Sequence, residues 1–63
     1  MLMTYTLYLR GGPETSDRFE PFMGRSGAEA MERARALLEE TAQYDAVDVF
    51  FGETQLFRVQ RPR

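Results

Sequence analysis

The sequence predicts an α+β fold of order ββαββ, in which one helix packs on one face of a four-stranded, mostly antiparallel sheet. Three observations support this prediction: two alternating segments before residue 24, one capped amphipathic segment after it, and two alternating segments at the end. With 63 residues the chain has room for one domain. We expect this domain to span residues 1–60, and residues 61–63 to form a frayed tail.

The first two strands are predicted from alternation and from the position of a proline. Residues 2–10 alternate with period two, which is typical of a strand with two different faces. A glycine-glycine-proline run ends this strand. A second strand is expected over Arg18 to Met23, where Phe19 and Phe22 are apolar anchors. Pro21 has no N–H group, so this strand should lie at a sheet edge or carry a bulge.

The central segment has the signals of a helix. Ser26 is placed as an N-cap, and Glu29, three residues later, can complete a capping box. Behind the cap, one stripe of residues recurs at helical spacing: Ala30, Met31, Ala34, Leu37, Leu38 and Thr41. The two small alanines allow the helix to approach the sheet closely. We expect the helix to end near Gln43 or Tyr44.

The last two strands are predicted to form a hairpin. Asp45 to Phe51 alternates, and Gln55 to Gln60 reads as the closing strand. The register is ambiguous, but a three-residue loop of Gly52-Glu53-Thr54 is favoured. It sets Val49 opposite Phe57, Val47 opposite Val59 and Asp48 opposite Arg58, which keeps apolar residues together and pairs opposite charges.

The predicted fold leaves one side of the sheet uncovered, because a single helix covers only one face. The uncovered side carries Thr4, Thr6, Tyr8, Phe50 and Leu56, which is more apolar than a solvated face usually is. An uncovered apolar face implies a partner, a ligand or a second copy of the chain. The residues predicted to bind a partner are Tyr8, Phe50, Leu56 and Arg58.

Composition excludes several classes of chemistry. The chain has no cysteine and no histidine, so it has no disulfide, thiolate zinc site or catalytic thiol. We therefore expect no enzymatic activity, no cofactor and no metal. The net charge of −2 argues against a dedicated nucleic-acid binder. No signal peptide and no run of roughly 20 apolar residues is visible, so a cytoplasmic protein is expected.

The chain resembles a family of short uncharacterised bacterial proteins that are common in alphaproteobacterial genomes. The matching segments are Tyr5-Thr6-Leu7-Tyr8, Glu29-Ala30 through Ala36-Leu37-Leu38, Val47-Asp48-Val49, Gly52 and Phe57-Arg58-Val59. Members often carry tryptophan and aspartate before the turn glycine, where this chain has Phe50-Phe51. The resemblance covers most of the chain and implies the ββαββ fold. It implies no activity, because the family has none assigned.

Two groups of residues are candidates for binding an ion. Arg25, Ser26 and Gly27 stand at the predicted helix start, where free N–H groups and the helix dipole attract anions. A structural cap is the favoured interpretation, since Glu29 repels anions there. The second group, Glu14, Asp17 and Glu20, offers carboxylates for a hard cation such as Ca²⁺. It lacks the spacing of a calcium loop, and a solvated connection is favoured.

Asp45 and Asp48 are a candidate acid–base pair. The favoured interpretation is structural: Asp45 lies at the end of a loop, and Asp48 pairs across the hairpin with Arg58.

Three hypotheses for function follow. The favoured one is a small non-enzymatic interaction module that uses the uncovered face for homodimerisation or for binding a protein partner. The alternative is an accessory or regulatory protein that stacks single-stranded nucleic acid on the aromatic residues of that face. An enzyme is the least favoured, because no nucleophile has a plausible activating base beside it.

Overall fold

The structure, a computed structural model, describes residues 1–62. Its elements are β1 (Met3–Gly11), β2 (Arg18–Gly24), α1 (Gly27–Glu40), β3 (Tyr44–Phe51) and β4 (Thr54–Gln60). The four strands form one sheet in the order β2-β1-β3-β4, and every neighbouring pair is antiparallel. The predicted α+β fold of order ββαββ is therefore confirmed.

Strand β2 lies at an edge of the sheet, as its proline predicts. Pro21 is opposite Thr6 of β1, and its missing N–H removes no ladder bond from the interior of the sheet. Because β2 and β3 both run antiparallel to β1, they run parallel to each other. The helix is the crossover that parallel strands require.

The hydrophobic core lies between α1 and the inner face of the sheet. Its buried members are Tyr5, Leu7, Leu9, Ala30, Ala34, Leu37, Leu38, Tyr44, Val47 and Val49. Ala30 and Ala34 are completely buried, so the alanine side of the helix is the side that meets the strands. Burial at these two positions agrees with the close approach that small residues allow.

Helix α1 begins where its cap predicts and ends earlier than its stripe predicts. Ser26 has extended backbone angles, and its Oγ accepts a hydrogen bond from the N–H of Glu29. The predicted end near Gln43 or Tyr44 is wrong, because the helix stops at Glu40. Thr41 takes an extended conformation there, and both its N–H and its hydroxyl donate to the Leu37 carbonyl.

The β3–β4 hairpin has the predicted register but a different loop. Val49 is opposite Phe57, Val47 is opposite Val59 and Asp48 is opposite Arg58. The predicted three-residue loop is wrong: Phe51 pairs with Thr54, so the loop is Gly52-Glu53. A register shift between Val49 and Phe50 absorbs the difference of one residue.

Arg61, which we placed in a frayed tail, is bonded to the domain. Its N–H donates to the Asp45 carbonyl at 2.9 Å. Its guanidinium donates to the carbonyls of Thr41 and Tyr44, each at 2.6 Å from Nη2. These bonds satisfy one carbonyl just after α1 and two at the start of β3. Arg63, the last residue of that predicted tail, lies outside the described residues.

Candidate interaction surface

The candidate site is the open face, which we define as the side of the sheet opposite α1. It is formed by alternate residues of all four strands, because successive side chains of a strand point to opposite sides. The pairing register assigns these members to it: Thr4, Thr6, Tyr8, Arg10, Phe19, Pro21, Met23, Ala46, Asp48, Phe50, Gln55, Arg58 and Gln60. The face divides into an apolar part and a charged part.

The apolar part is centred on an aromatic patch of Tyr8, Phe19 and Phe50. The Tyr8 ring centroid lies 6.1 Å from that of Phe19 and 5.1 Å from that of Phe50, the latter in an edge-to-face arrangement. Both geometries are favourable for aromatic pairs. Phe19 is 66% exposed, and Met23, which also lies on this face, is 61% exposed. Tyr8 and Phe50 are half-buried, so solvent reaches the patch mainly at Phe19.

The charged part is an arginine cluster of Arg10 and Arg58 around Asp48. Asp48 is only 2% exposed, although it lies on the side without a helix. Arg58 donates to it from Nε at 2.5 Å and from Nη2 at 3.0 Å, and Arg10 Nε donates at 3.0 Å. Gln55 Nε2 adds a bond of 3.4 Å. The two arginines thus shield the carboxylate from water.

The charges in this cluster reinforce one another. The Asp48 carboxyl has a pKa below its ordinary value, first because of the hydrogen bonds from Arg58 and then because of Arg10, while burial opposes the shift. The pKa of Arg10 is raised by its hydrogen bonds to Asp17 and to Asp48. The pKa of Arg58 is raised by its bonds to Asp48. Each of these three shifts favours the charged form of Asp48, Arg10 or Arg58.

The four residues predicted to bind a partner have different surroundings. Tyr8 and Phe50 lie together in the aromatic patch. Leu56 lies at the register shift of the hairpin and is 44% exposed. Arg58 is engaged with Asp48, so its guanidinium is held in place.

Sequence reasoning missed the contribution of β2 to the open face. Phe19 and Phe22 were read together as anchors of the second strand, yet residues three apart in a strand point to opposite faces. Phe22 is opposite Tyr5 and packs against the core, whereas Phe19 is opposite Tyr8. The odd spacing of the two phenylalanines was the signal that identifies Phe19 as a surface residue.

The anion candidate of Arg25, Ser26 and Gly27 is occupied by a side chain of the chain itself. Ser26 Oγ accepts from the Glu29 N–H at 3.5 Å, and Glu29 Oε1 accepts from the Arg25 N–H at 2.9 Å. A negative carboxylate therefore stands where an anion would bind. This arrangement differs from a standard capping box by one residue, because Glu29 bonds to Arg25 instead of Ser26.

The acidic candidates do not converge. Asp17 bonds to Arg10 at 2.8 Å, and Glu20 bonds to Arg33 at 3.2 Å. Across residues 1–62, no group of three or more acidic side chains is arranged to hold a metal ion. Asp48 is a buried acceptor for two arginines, which holds it as a carboxylate and leaves it no proton to donate.

No helix in residues 1–62 has the length and apolar character needed to cross a membrane.

Comparisons with models of protein families, with curated proteins and with solved structures found no match. The resemblance to a bacterial family therefore stays a prediction. The basis for a functional proposal is the open face itself.

Proposed function

We propose that the protein is a non-enzymatic interaction module whose open face packs against a protein surface, either a second copy of the chain or a different protein. One observation carries this proposal: Phe19 and Met23 are exposed beside the half-buried rings of Tyr8 and Phe50, on a sheet face that no element of residues 1–62 covers. Apolar side chains exposed side by side are typical of protein-binding surfaces.

The open face has the composition of an interface. Phe19 and Met23 are large apolar side chains that water still reaches, and fully burying a side chain of this size contributes about 1.5–3 kcal/mol. Aromatic and arginine side chains are the residues most often found as energetic anchors in interfaces. Antiparallel sheets also pack face to face, with a spacing of about 10 Å.

Binding of single-stranded nucleic acid is the less favoured use of this face. Aromatic side chains beside arginines can stack bases, and the Arg10 guanidinium lies 5.3 Å from the centre of the Tyr8 ring. However, Arg10 and Arg58 are bonded to carboxylates, and the chain has a net charge of −2. A mobility shift with mixed RNA or single-stranded DNA, steeply weakened by salt, would favour this alternative.

The proposed use in self-association is tested by light scattering across a concentration series. Phe19→Ser removes an exposed member of the patch, so we expect it to fold and to reduce the mass observed at high concentration. Phe51→Ser is the matched control, because Phe51 is 45% exposed but packs beside Tyr5 on the helix side.

Two outcomes of this experiment contradict the proposal. The first is an equal loss of mass in both variants. The second is a monomer at every concentration together with a Phe50→Glu variant whose solubility and stability match the wild type. The cytoplasmic location expected from the sequence stays a prediction.

A further inference from the structure

A second feature of the open face is a cavity of about 460 Å³ at the end where β1 finishes and β3 begins. Its lining includes Arg10, Arg58, Arg61, Asp45 and Ala46. Ala46 is opposite Arg10 of β1 and Gln60 of β4. A small residue thus lies at the floor of the cavity between long side chains from both neighbouring strands, which leave it only 6% exposed.

Three guanidinium groups around this cavity are held by hydrogen bonds. Arg10 donates to Asp48 and Asp17, and Arg58 donates twice to Asp48. Arg61 donates to the carbonyls of Thr41 and Tyr44. Each arginine uses only two of its three guanidinium nitrogens in these bonds. Within residues 1–62, Arg10 Nη2, Arg58 Nη1 and Arg61 Nη1 have no hydrogen-bond acceptor.

A set of donors without acceptors is suited to an anion with several oxygens. Guanidinium groups only donate hydrogen bonds, and their planar geometry matches phosphate and carboxylate oxygens. Three donors supplied by three separate side chains suit a tetrahedral anion, which can offer one oxygen to each. A planar carboxylate can also accept three hydrogen bonds, but its lone pairs lie in one plane, so it matches donors from three separate side chains less well.

We propose that this cavity binds a phosphate group carried by a small organic molecule. The volume falls within the range of about 300–1,000 Å³ that is usual for small-molecule sites, so a phosphate ester has room for its organic part. The proposal is independent of the proposed function, because it needs neither the aromatic patch nor a protein partner.

The surrounding carboxylates set the expected strength of binding. Asp17 and Asp48 bond to the arginines, and Asp45 lines the cavity, so three negative charges offset the three positive ones. The affinity for an anion must therefore come from directed hydrogen bonds and not from a net positive electrostatic potential. We expect a dissociation constant of about 1 mM for a simple phosphate ester, which corresponds to about 4 kcal/mol.

The test is a titration of the ¹⁵N-labelled protein with phenyl phosphate, followed by NMR at constant ionic strength. We expect saturable shifts of the Gly11 and Ala46 amides and of the Arg58 Nε–Hε signal. Acetate at equal concentration should bind about tenfold more weakly. Shifts that do not saturate, or that saturate equally with acetate, would overturn the proposal.

Variants then locate the site. Ala46→Leu fills the floor of the cavity while keeping all three arginines, and should weaken binding about tenfold. Arg25→Ala removes an equal charge at the helix start and should leave binding unchanged. The opposite result, with Arg25→Ala weaker and Ala46→Leu unchanged, would place the anion at the helix. If Ala46→Leu does not fold, Arg58→Lys is used in its place. Lysine keeps the positive charge at this position but lacks the planar guanidinium group.

Discussion

Asp48 is the residue whose replacement tests the structure of the open face most sharply. Its carboxylate is buried, and each oxygen accepts two hydrogen bonds: Oδ1 from Arg58 and Gln55, and Oδ2 from Arg58 and Arg10. Asp48→Asn keeps the shape and removes the charge. In either orientation of the new amide, its NH₂ group faces two donors.

The expected cost follows from these contacts. A buried polar group without a partner costs about 1–3 kcal/mol. Arg10 and Arg58 remain partly exposed, with 38% and 49% of their side-chain surface accessible, so water can solvate them after the substitution. We therefore expect Asp48→Asn to lower the free energy of unfolding by about 2 kcal/mol. In a domain of this size, that lowers the melting temperature by roughly 10 °C.

The assay is urea denaturation at pH 7, with Asp45→Asn as the matched control. Asp45 lies in the same strand and is exposed, so the same substitution there should change stability by less than about 0.5 kcal/mol. If Asp48→Asn costs no more than Asp45→Asn, the cluster does not stabilise the fold and the reasoning fails.

The same pair of proteins has a defined pH dependence. The pKa of folded Asp48 lies below its ordinary value of 3.8, so the carboxylate stabilises the fold fully above that pH. The advantage of wild type over Asp48→Asn should therefore be constant near neutral pH and shrink as the pH falls below about 4. An advantage that grows on acidification would contradict the depressed pKa.

Three further substitutions test other parts of the fold. Gly52 has a φ of +61°, so Gly52→Ala should lower the free energy of unfolding, measured by denaturation, by about 1–2 kcal/mol. Gly12→Ala should lower it less, because the added Cβ meets open space. Leu7 is completely buried, and Leu7→Ala should cost about 2–5 kcal/mol, enough to remove the cooperative thermal transition seen by circular dichroism. Arg61→Ala removes the donors to the Tyr44 carbonyl. Backbone amide hydrogen exchange should therefore become faster at the start of β3, with little change in β2. Unchanged exchange at the start of β3 would show that these hydrogen bonds do not hold this segment.

The spacing of apolar residues predicted most of the fold, because β1, α1 and β3 each have a clear period. Alternation in β1 and β3 identified the strands, and the serine cap with its alanine-rich stripe identified α1. The helix end was missed because Thr41 belongs to the helical stripe but takes an extended conformation, with its hydroxyl bonded to Leu37. A threonine side chain that competes for backbone hydrogen bonds does not change the apolar period.

The hairpin and the open face illustrate where the sequence alone is insufficient. The register was predicted from pairing chemistry, but a two-residue loop with a bulge and a three-residue loop give the same pairs at Asp48 and Val49. The pairing of Asp48 with Arg58 was predicted across the hairpin. The contact between Arg10 and Asp48 was not predicted. It forms only because β3 lies next to β1, and predicting it requires knowledge of the strand order.

The most direct test of the open face as an interaction surface is site-specific photo-crosslinking in cells that produce the protein. A photoreactive phenylalanine analogue replaces Phe19 in one sample and Glu32, on the exposed side of α1, in the other. We predict a discrete crosslinked product of defined mass from position 19 and none from position 32, whether the partner is a second copy or another protein. Equal crosslinking from both positions, or none from position 19, would contradict the account.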